Sequence, residues 1–581
     1  MAFTGLLAGL SQVPSIRASQ TLFWSVLGAS ACLLAFTAVL RVLASGRVLR
    51  FTFVPRAQHY LQASMQAAVY AYWGYYWRPV YDAVPLIAAQ LAFAYAFDML
   101  LTWSRRDEYT LGFGPFPVIF STNLFLWFKP EWFYLQFLMV AVGFAAKELI
   151  RWDKDGRRAH IFNPSSFPLS VFSIALILTG ATSMTWGIEI ATTQFNPPNI
   201  YVLLFLVGLP GQILFGVTTM TMSAVVTTYV LGLAWFAATG TYYFIDSYIP
   251  VAVFLGMHLL FTDPSTAPRT ELGRLIFGGL YGASVFALYF ILERAGIPSF
   301  YDKLLPVPLL NLSIKGIDRL AQSSVLQVLD PSRLGRTLRP RQRNLAYVAI
   351  WTVVFVGMTA ADGVGDSHPG HRVPFWRTAC ETNLTNGCST LGLITQAYCQ
   401  DGSGWACNEL GVLLAENRVS RDGTASQSFD RACELGFAAG CANAVRVASG
   451  DPPQRAPVQL RDYPVVLRSG KGAIPEQTPL ALHGLACEQG WMEGCEGLGG
   501  LYLLGQGVVR DPGRAAAEFD KACTGGLASA CSNLGFMYYS ADGVPLDKAR
   551  GLALLKRSCE LGFAEACRWY EETAGKADGP T

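Results

Sequence analysis

Long apolar runs dominate the chain between residues 21 and 360. A helix needs roughly 17–25 apolar residues to cross the hydrocarbon core of a bilayer. Runs of about this length, several of them short or interrupted, predict twelve spans near 21–43, 59–77, 84–103, 110–127, 132–150, 165–181, 199–217, 219–240, 248–265, 274–293, 300–316 and 345–360. The pattern therefore predicts a polytopic bundle of membrane helices for this part of the chain.

Basic residues between these runs predict the orientation of the bundle. Three arginines follow the first run, two follow the third, and five basic residues lie between 147 and 158. The segment 315–344 holds seven basic residues and two acids, Asp318 and Asp330. Short basic loops stay on the cytoplasmic side of a membrane. The last span is therefore expected to run outward and to deliver residue 361 onward to the far side.

Composition excludes several classes of protein. Charged residues make up 15% of the 581 residues, against about 25% in typical soluble proteins, and 52% of the residues are hydrophobic. Such a chain is neither disordered nor fibrous, nor a nucleic-acid binder that depends on a basic patch, and its net charge of +3 says almost nothing about partners. The length predicts at least two domains.

Twelve of the thirteen cysteines lie after residue 379, and Cys32 stands apart from them. They form six pairs with the spacing i, i+8, namely Cys380 and Cys388, Cys399 and Cys407, Cys433 and Cys441, Cys487 and Cys495, Cys523 and Cys531, and Cys559 and Cys567. An even number at one repeated spacing predicts a disulfide framework, which persists only in an oxidising compartment. Structural zinc is the alternative, although zinc sites usually show short Cys-x-x-Cys clusters. The cysteines thus agree with the basic loops that this part faces the periplasm or the exterior.

The cysteine pairs belong to a repeated unit. The segments 486–490, 522–526 and 558–562, each containing a first cysteine, recur every 36 residues, and Leu-Gly-x-x-Tyr occurs at 498–502 and 534–538. A period near 34–36 residues with paired helical patterns predicts a solenoid of helical hairpins. The unit resembles the cysteine-rich Sel-type repeats, relatives of the tetratricopeptide repeats. Solenoids of this kind bind proteins or peptides through a concave face.

The residue three positions after each first cysteine tolerates left-handed backbone. These residues are Asn383, Gly402, Gly436, Gly490, Gly526 and Gly562. Because such backbone ends a helix, each bridge is expected to join one helix end to the next helix and to stabilise the unit by about 2–3 kcal/mol. The wide gap between Cys441 and Cys487 contains six prolines around 450–480 and predicts a loop inserted in the solenoid.

Three motifs in the apolar part resemble one family of membrane proteins. They are His160-Ile161-Phe162-Asn163-Pro164-Ser165, then Thr262-Asp263-Pro264-Ser265-Thr266-Ala267-Pro268-Arg269-Thr270 with Gly273-Arg274-Leu275-Ile276-Phe277-Gly278, and finally Leu305-Pro306-Val307-Pro308-Leu309-Leu310-Asn311-Leu312 before Asp318. In this order they resemble the NqrB/RnfD membrane subunits of the sodium-pumping quinone reductase and the Rnf electron-transport complex, over roughly residues 59–320. The resemblance implies a subunit of a membrane electron-transfer assembly.

The same resemblance implies a flavin. In this family a threonine in an Asp-Gly-x-Ser/Thr-Gly-Ala-Thr motif on the outer face carries flavin mononucleotide (FMN) through a phosphoester. Here Thr179-Gly180-Ala181-Thr182 matches the end of that motif at the outer end of the sixth predicted span, and Thr182 would be the attachment residue. Leu176 stands where the motif has aspartate. The alternative is that these small residues let helices approach closely in lipid, and both interpretations remain open.

Other chemistries have less support. No nucleophile–base set for catalysis is apparent, and no metal site is expected. His258 is the only histidine inside a predicted span away from its ends, and one histidine cannot ligate a transmembrane haem from both sides. No Cys-x-x-Cys-His occurs, which excludes c-type haem. With one cysteine among the predicted spans, an iron–sulfur cluster held by this chain alone is not expected. His368 and His371 flank Pro369 and Gly370. A hinge is a more common explanation for this segment than a metal site.

The predicted fold class is all-α, a membrane bundle of about twelve spans followed by an α-solenoid of disulfide-stapled hairpins. The predicted parts are an extra N-terminal span with a basic loop (1–58), the NqrB/RnfD-like core (59–320), a basic loop with the final span (321–360), a linker (361–378), the repeats (379–570) and a tail (571–581).

The leading hypothesis is a multi-pass subunit of an electron-transport complex in a bacterial inner membrane, with FMN or another flavin as its carrier. Its repeats would lie in the periplasm and dock a redox partner or other subunits. The alternative is a cofactor-free anchor in the bilayer that displays a protein-binding solenoid. Whether the chain is an enzyme, or a non-catalytic or flavin-carrying subunit of an oxidoreductase, stays open.

Overall fold

The computed structural model describes residues 1–43, 46–154, 156–245, 247–333, 337–420, 423–467 and 477–577. Contacts divide the chain into two compact units. Unit 1 comprises Met1–Ala238 and Tyr242–His368, and unit 2 comprises Thr239–Thr241 and Pro369–Thr581.

The first part of the chain, through residue 360, is largely helical. The described residues there form helices α1 (Ala2–Leu10), α2 (Pro14–Arg17), α3 (Gln20–Leu43), α4 (Ala57–Tyr76), α5 (Pro79–Asp82), α6 (Val84–Trp103), α7 (Pro115–Asn123), α8 (Tyr134–Leu149), α9 (Ser166–Leu178), α10 (Gly187–Thr193), α11 (Ile200–Phe215), α12 (Thr218–Thr239), α13 (Val251–Leu259), α14 (Glu271–Arg294), α15 (Pro306–Ala321) and α16 (Pro340–Ala360). Large buried side chains from many of these helices, including Trp73, Phe144, Tyr201, Phe254 and Trp351, meet in one apolar core.

Five helical segments in the described residues are long and apolar enough to cross a membrane: Gln20–Leu43, Pro79–Trp103, Thr218–Thr239, Glu271–Arg294 and Pro340–Ala360. The predicted count of twelve spans therefore finds no support. Two of the predicted spans, 110–127 and 248–265, contain helices of nine residues each, which rise only about 14 Å. Apolar composition alone does not take account of the glycines and prolines that delay the start of these helices. Gly114 and Pro115, at the start of α7, are an example.

The prediction of an all-α fold is wrong in one detail, because the described residues also include four short strands. Strand β1 (Arg50–Phe53) pairs in parallel with β2 (Glu108–Leu111), with Arg50 opposite Glu108. Strand β3 (Arg151–Lys154) pairs antiparallel with β4 (Arg157–His160). Strands β1, β3 and β4 lie in polar segments predicted to be basic loops, and β2 extends from such a loop into the predicted span 110–127. Backbone groups outside helices need hydrogen-bond partners there.

Unit 2 consists of short helices joined by tight turns. The described residues form α17 (Val373–Glu381), α18 (Gly387–Gln400), α19 (Gly404–Ala415), α20 (Ala425–Glu434), α21 (Ala438–Ala448), α22 (Tyr463–Val466), α23 (Pro479–Glu488), α24 (Met492–Leu504), α25 (Pro512–Thr524), α26 (Ala528–Ser540), α27 (Lys548–Glu560) and α28 (Ala564–Ala577). Most of these helices pack against the next helix in the sequence, as expected for a solenoid of hairpins.

The predicted disulfide framework is confirmed, since all six i, i+8 pairs are bonded. The bonds join Cys380 to Cys388, Cys399 to Cys407, Cys433 to Cys441, Cys487 to Cys495, Cys523 to Cys531, and Cys559 to Cys567. Each bridge joins the last turn of one helix to the first turn of the next. The bridges indicate an oxidising, extracytoplasmic compartment for unit 2.

The predicted helix-ending turns are confirmed as well. The six residues three positions after each first cysteine have φ between 57° and 96°. This is the left-handed conformation in which asparagine and glycine are favoured. The chain therefore reverses at each of these residues and brings the second cysteine of the pair beside the first.

The predicted inserted loop lies between α21 and α23. Residues 451–459, which we call the strap, carry no helix or strand, and α22 follows them. Residues 468–476, with Pro475, lie outside the described residues.

Candidate functional site

The three motifs that carry the NqrB/RnfD resemblance meet in unit 1 around Asn163. This side chain is 4% exposed and lies just before α9. Its Oδ1 accepts hydrogen bonds from the backbone N–H groups of Ser165 (2.9 Å) and Ser166 (3.1 Å), and its Nδ2 donates to the carbonyl of Leu260 (2.9 Å). The Asn163 N–H donates to Oδ1 of Asn311 on α15 at 3.1 Å. Through its side-chain amide and its backbone N–H, the buried Asn163 thus connects the start of α9, the end of α13 and α15.

Asp263 of the second motif lies beside the first motif as well. Its Oδ2 is 3.2 Å from Nε2 of His160, and its Oδ1 accepts from the Ser265 N–H at 2.9 Å. Nearby, Asp318 accepts from the Arg269 N–H at 3.0 Å. These bonds shape the loops between helices.

Thr182 begins a one-turn 3₁₀ helix, Thr182–Met184. The segment that follows is paired with the chain after α7, because the Lys129 N–H donates to the Met184 carbonyl (2.9 Å) and the Trp186 N–H donates to the Trp127 carbonyl (2.8 Å). The Lys129 ammonium lies 5.1 Å from the centre of the Trp186 ring. The segment of Thr182 is therefore anchored beside a cation and indole rings.

The other residues of the predicted flavin motif have more ordinary surroundings. The Thr179 hydroxyl is exposed and donates to the Ala175 carbonyl one turn back at 2.7 Å. Gly180 has φ of 67° and ends α9, and Ala181 donates its N–H to the Leu176 carbonyl. Leu176, where the family has aspartate, is 5% exposed and packs in the core.

Sequence reasoning missed a set of buried polar groups in unit 1. Gln90, Asn123 and Gln136 lie on α6, α7 and α8, are at most 2% exposed, and contact one another through their amides at 2.8–3.5 Å. Asp302 and Lys303 form a buried ion pair, with Nζ 3.1 Å from Oδ1. The available signal was two adjacent charges at 302–303, within the apolar run predicted as a span over 300–316.

Glu148, near the end of α8, lies among basic residues. Its carboxylate, 8% exposed, lies 2.8 Å from the guanidinium of Arg106 and 2.5 Å from that of Arg151, with Arg105 at 3.9 Å. Arginines from two predicted basic loops therefore converge on one acid.

A second group that sequence reasoning missed lies in unit 2, and we call it the clamp. It consists of Trp405, Asn408 and Glu409 on α19 and Asn443 on α21, all at most 2% exposed. Asn443 Nδ2 donates to Asn408 Oδ1 at 2.9 Å. A detectable signal was the position of Glu409 and Asn443, each two residues after the second cysteine of a pair.

The strap lies against the clamp. Asn443 forms two hydrogen bonds to the backbone of Gln454, accepting from its N–H at 2.8 Å and donating to its carbonyl at 2.7 Å. The Trp405 indole N–H donates to the Ala456 carbonyl at 3.1 Å. The guanidinium of Arg455 contacts the Glu409 carboxylate. The clamp therefore holds a piece of polypeptide without helix or strand by its backbone and by one arginine.

Burial is the largest influence on the pKa of Glu409. Burial raises the pKa of the Glu409 carboxyl above its ordinary value of 4.5, while Arg455 and Arg377 oppose the rise and Glu381 and Glu416 add to it. No described residue donates to its second oxygen, Oε2. The carboxylate consequently depends on a guanidinium for its compensation.

The described residues include one group with a metal-binding arrangement, Cys487, Cys495 and Glu518. The two sulfurs are bonded to each other, so they are not thiolate ligands. The two histidines near residue 370 fall in different units, and the His368 ring packs against Tyr242 and Tyr248 in unit 1.

Comparisons with solved structures find Sel-type repeat proteins. The cysteine-rich protein B of Helicobacter pylori is 25% identical, with 25% of this chain and 90% of that chain covered and a TM-score of 0.16. A Sel1 repeat protein from Oxalobacter formigenes is 18% identical over 37% of this chain and 84% of its own, with a TM-score of 0.17. A protective antigen of uropathogenic Escherichia coli with an SLR fold is 15% identical over 84% of this chain and 88% of its own, with a TM-score of 0.22.

No protein-family model matches the chain, and no curated protein matches it. The structural neighbours are thus cysteine-rich helical repeat proteins, and these comparisons supply no evidence for an NqrB/RnfD domain.

Proposed function

We propose that this protein is a membrane-anchored binding module whose unit 2 holds extended segments of other proteins outside the cytoplasm. The observation that carries the proposal is the clamp, because Asn443 and Trp405 contact backbone groups of a chain without helix or strand. Backbone contacts of this kind supply affinity for extended peptides, and adjoining side-chain contacts supply specificity.

Unit 1 would serve as the anchor in a bacterial inner membrane, with unit 2 in the periplasm. Support comes from the five long apolar helices and from outward apolar side chains such as Ile350, Val353 and Val356 on α16, which are 53–72% exposed. Exposed apolar surface of this kind is typical of lipid contact. Protease added to the outside of spheroplasts should degrade unit 2 and leave unit 1 protected; protection of both units would contradict this orientation.

Cross-linking in native cells tests the binding function. A photo-reactive amino acid replaces Glu416, which lies beside the clamp and contacts Arg455, and a control replaces Leu561, an exposed residue 44% accessible in the last repeat. We expect discrete adducts with other proteins from position 416 and none from position 561. Equal adduct formation at both positions, or none at either, would refute the proposal.

A second candidate is an NqrB/RnfD-like subunit of an electron-transport complex that carries FMN on Thr182. Its support is the meeting of the three family-like motifs through Asn163, Asp263 and Asn311 and the position of the Thr182 segment beside Lys129 and Trp186. A cation and aromatic rings suit a flavin phosphate and its ring system. Partner subunits in the membrane or periplasm would then supply and accept the electrons.

Flavin fluorescence of the denatured chain in a gel tests this second candidate. We expect a fluorescent band that Thr182→Ala abolishes and Thr179→Ala preserves, because the Thr179 hydroxyl already donates within α9. A dark band, from cells shown to flavinylate another protein, would remove Thr182 as the attachment residue.

A further inference from the structure

The contacts of the strap resemble those of a bound peptide more than those of a structural loop. The side-chain amide of Asn443 accepts a hydrogen bond from the Gln454 N–H and donates one to the Gln454 carbonyl. A neighbouring strand would make the same two kinds of bond. This pairing recognises extended backbone whatever the side chain at that position, and the side chain of Gln454 is exposed.

Arg455 supplies the specific part of the contact. Besides Glu409, its guanidinium lies 3.4 Å from Glu416 and 3.8 Å from Glu381. Glu409 is fully buried, and a buried carboxylate that loses its cationic partner is strongly destabilising. The clamp therefore selects a segment with a guanidinium at this position.

The contacts at the two ends of the strap are distinct from those that the clamp makes with Gln454, Arg455 and Ala456. After it, Asp462 is fixed by the Ser403 hydroxyl (2.9 Å) and the Trp405 N–H (3.0 Å), which donate to its Oδ1. At its start, the strap is itself bound to α21, because Arg446 donates to the Pro452 carbonyl at 2.8 Å. Prolines at 452, 453 and 457 favour an extended conformation at low entropic cost. The strap can thus leave the clamp while the Asp462 anchor stays in place.

We infer that the strap is the clamp's own internal ligand, and that the partner is an extended peptide segment bearing one arginine flanked by proline or small residues, which binds by displacing the strap. This inference rests on the proposed function and specifies the chemistry of its partner. A tethered competitor at an effective concentration near the millimolar range would restrict binding to partners present locally at high concentration or bound at a second point.

The test uses the full chain in detergent and a fluorescent peptide with the sequence of residues 450–460. In an opened variant, residues 452–457 are replaced by glycine and serine, leaving the buried Val458 in place. We expect the peptide to bind the opened variant at least tenfold more tightly than the unaltered chain. An Arg455→Gln peptide should lose at least tenfold in affinity, because it cannot compensate Glu409.

A matched pair of substitutions locates the binding to the clamp. In the opened variant, Asn443→Ala should abolish peptide binding. Asn533→Ala should not, although Asn533 also lies two residues after a second cysteine, because it is exposed and its amide donates to Glu496. A milder variant, Gln454→Pro, removes the N–H that donates a hydrogen bond to Asn443 Oδ1 and keeps the carbonyl that accepts from Asn443 Nδ2. This variant should bind the peptide with intermediate affinity.

Two results would overturn the inference. One is equal peptide affinity for the unaltered chain and the opened variant. The other is the absence of binding to an opened variant that keeps its thermal transition and all six disulfides. Adducts from position 416 together with a failed peptide test would leave the proposed function standing at another site. A successful peptide test without adducts would leave the strap as an internal ligand and refute the proposed function.

Discussion

Unit 1 and unit 2 are both helical, but different contacts hold them together. In unit 2 most helices pack against sequence neighbours, and bridges between cysteines eight residues apart staple them. In unit 1 helices distant in sequence meet, such as α4 with α11 and α9 with α15, and one residue, Asn163, ties three of these elements. Because disulfides hold unit 2, its stability should depend on their reduction. The stability of unit 1 should depend on substitutions that change the volume of side chains between its helices.

Reduction of the disulfides should have the largest effect. Six bridges at about 2–3 kcal/mol each contribute as much as the whole stability of a typical domain, about 5–15 kcal/mol. We expect full reduction to unfold unit 2 and to leave unit 1, with its single cysteine, folded. Limited proteolysis and circular dichroism, with thiol counting to confirm reduction, measure this. A protease-resistant, fully reduced unit 2 would show that packing alone suffices.

Close helix packing in unit 1 predicts the next largest effect. A Cβ added at Gly278 on α14 would lie 2.1 Å from the Met220 carbonyl of α12, so Gly278→Ala should destabilise unit 1 by about 1–3 kcal/mol. The neighbouring Gly279→Ala is the control, because its Cβ would meet side-chain oxygens at 3.5 Å. Thermal unfolding in detergent measures both; equal melting temperatures would contradict the close approach.

The left-handed turns of unit 2 predict a smaller effect. Gly526 has φ of 93°, and a Cβ added there would have nothing within 4 Å, so Gly526→Ala should cost about 1–2 kcal/mol through backbone strain alone. Gly484→Ala on α23, also in open space but without positive φ, should be neutral or stabilising by up to about 1 kcal/mol. Chemical denaturation of unit 2 distinguishes them, and identical midpoints would rule out strain.

The pH dependence of unit 2 should show the smallest effect. Because burial raises the pKa of Glu409 in the folded state, its contribution to stability is fully present below the ordinary value of 4.5 and is lost as pH rises through the raised pKa. The stability of the natural chain relative to Glu409→Gln should therefore fall as the pH rises above the ordinary Glu value of 4.5. A relative stability that rises with pH would mean that Arg455 outweighs burial.

The repeats of unit 2 were predictable because each is specified locally. The cysteine spacing and the residue three positions on determine the turn, and residues such as Gly526 adopt the expected backbone. The clamp was not predictable, since Glu409, Asn443 and Arg455 come from three separate segments. Glu409 and Asn443 share one position in the repeat, two residues after a second cysteine, but no local pattern relates Arg455 to either of them.

The apolar pattern of unit 1 was a weaker guide. It located the long helices, such as α3 and α14, but it also predicted spans over 110–127 and 248–265, where nine-residue helices end inside the core. Hydrophobicity reports that a residue is removed from water and does not distinguish lipid from protein interior. The buried amides of Gln90 and Asn123 likewise become meaningful only once their helices meet.

The sequence by itself determined the helical character of both units, the six bridges and the helix-ending turns, because these depend on periodicity and on residues at most a few positions apart. Only the tertiary structure decided that the three distant motifs meet, through contacts of Asn163, Asp263 and Asn311, and that the strap lies on the clamp. Such contacts depend on how distant helices pack, and packing is settled by the shape and polarity of many side chains together rather than by any local pattern.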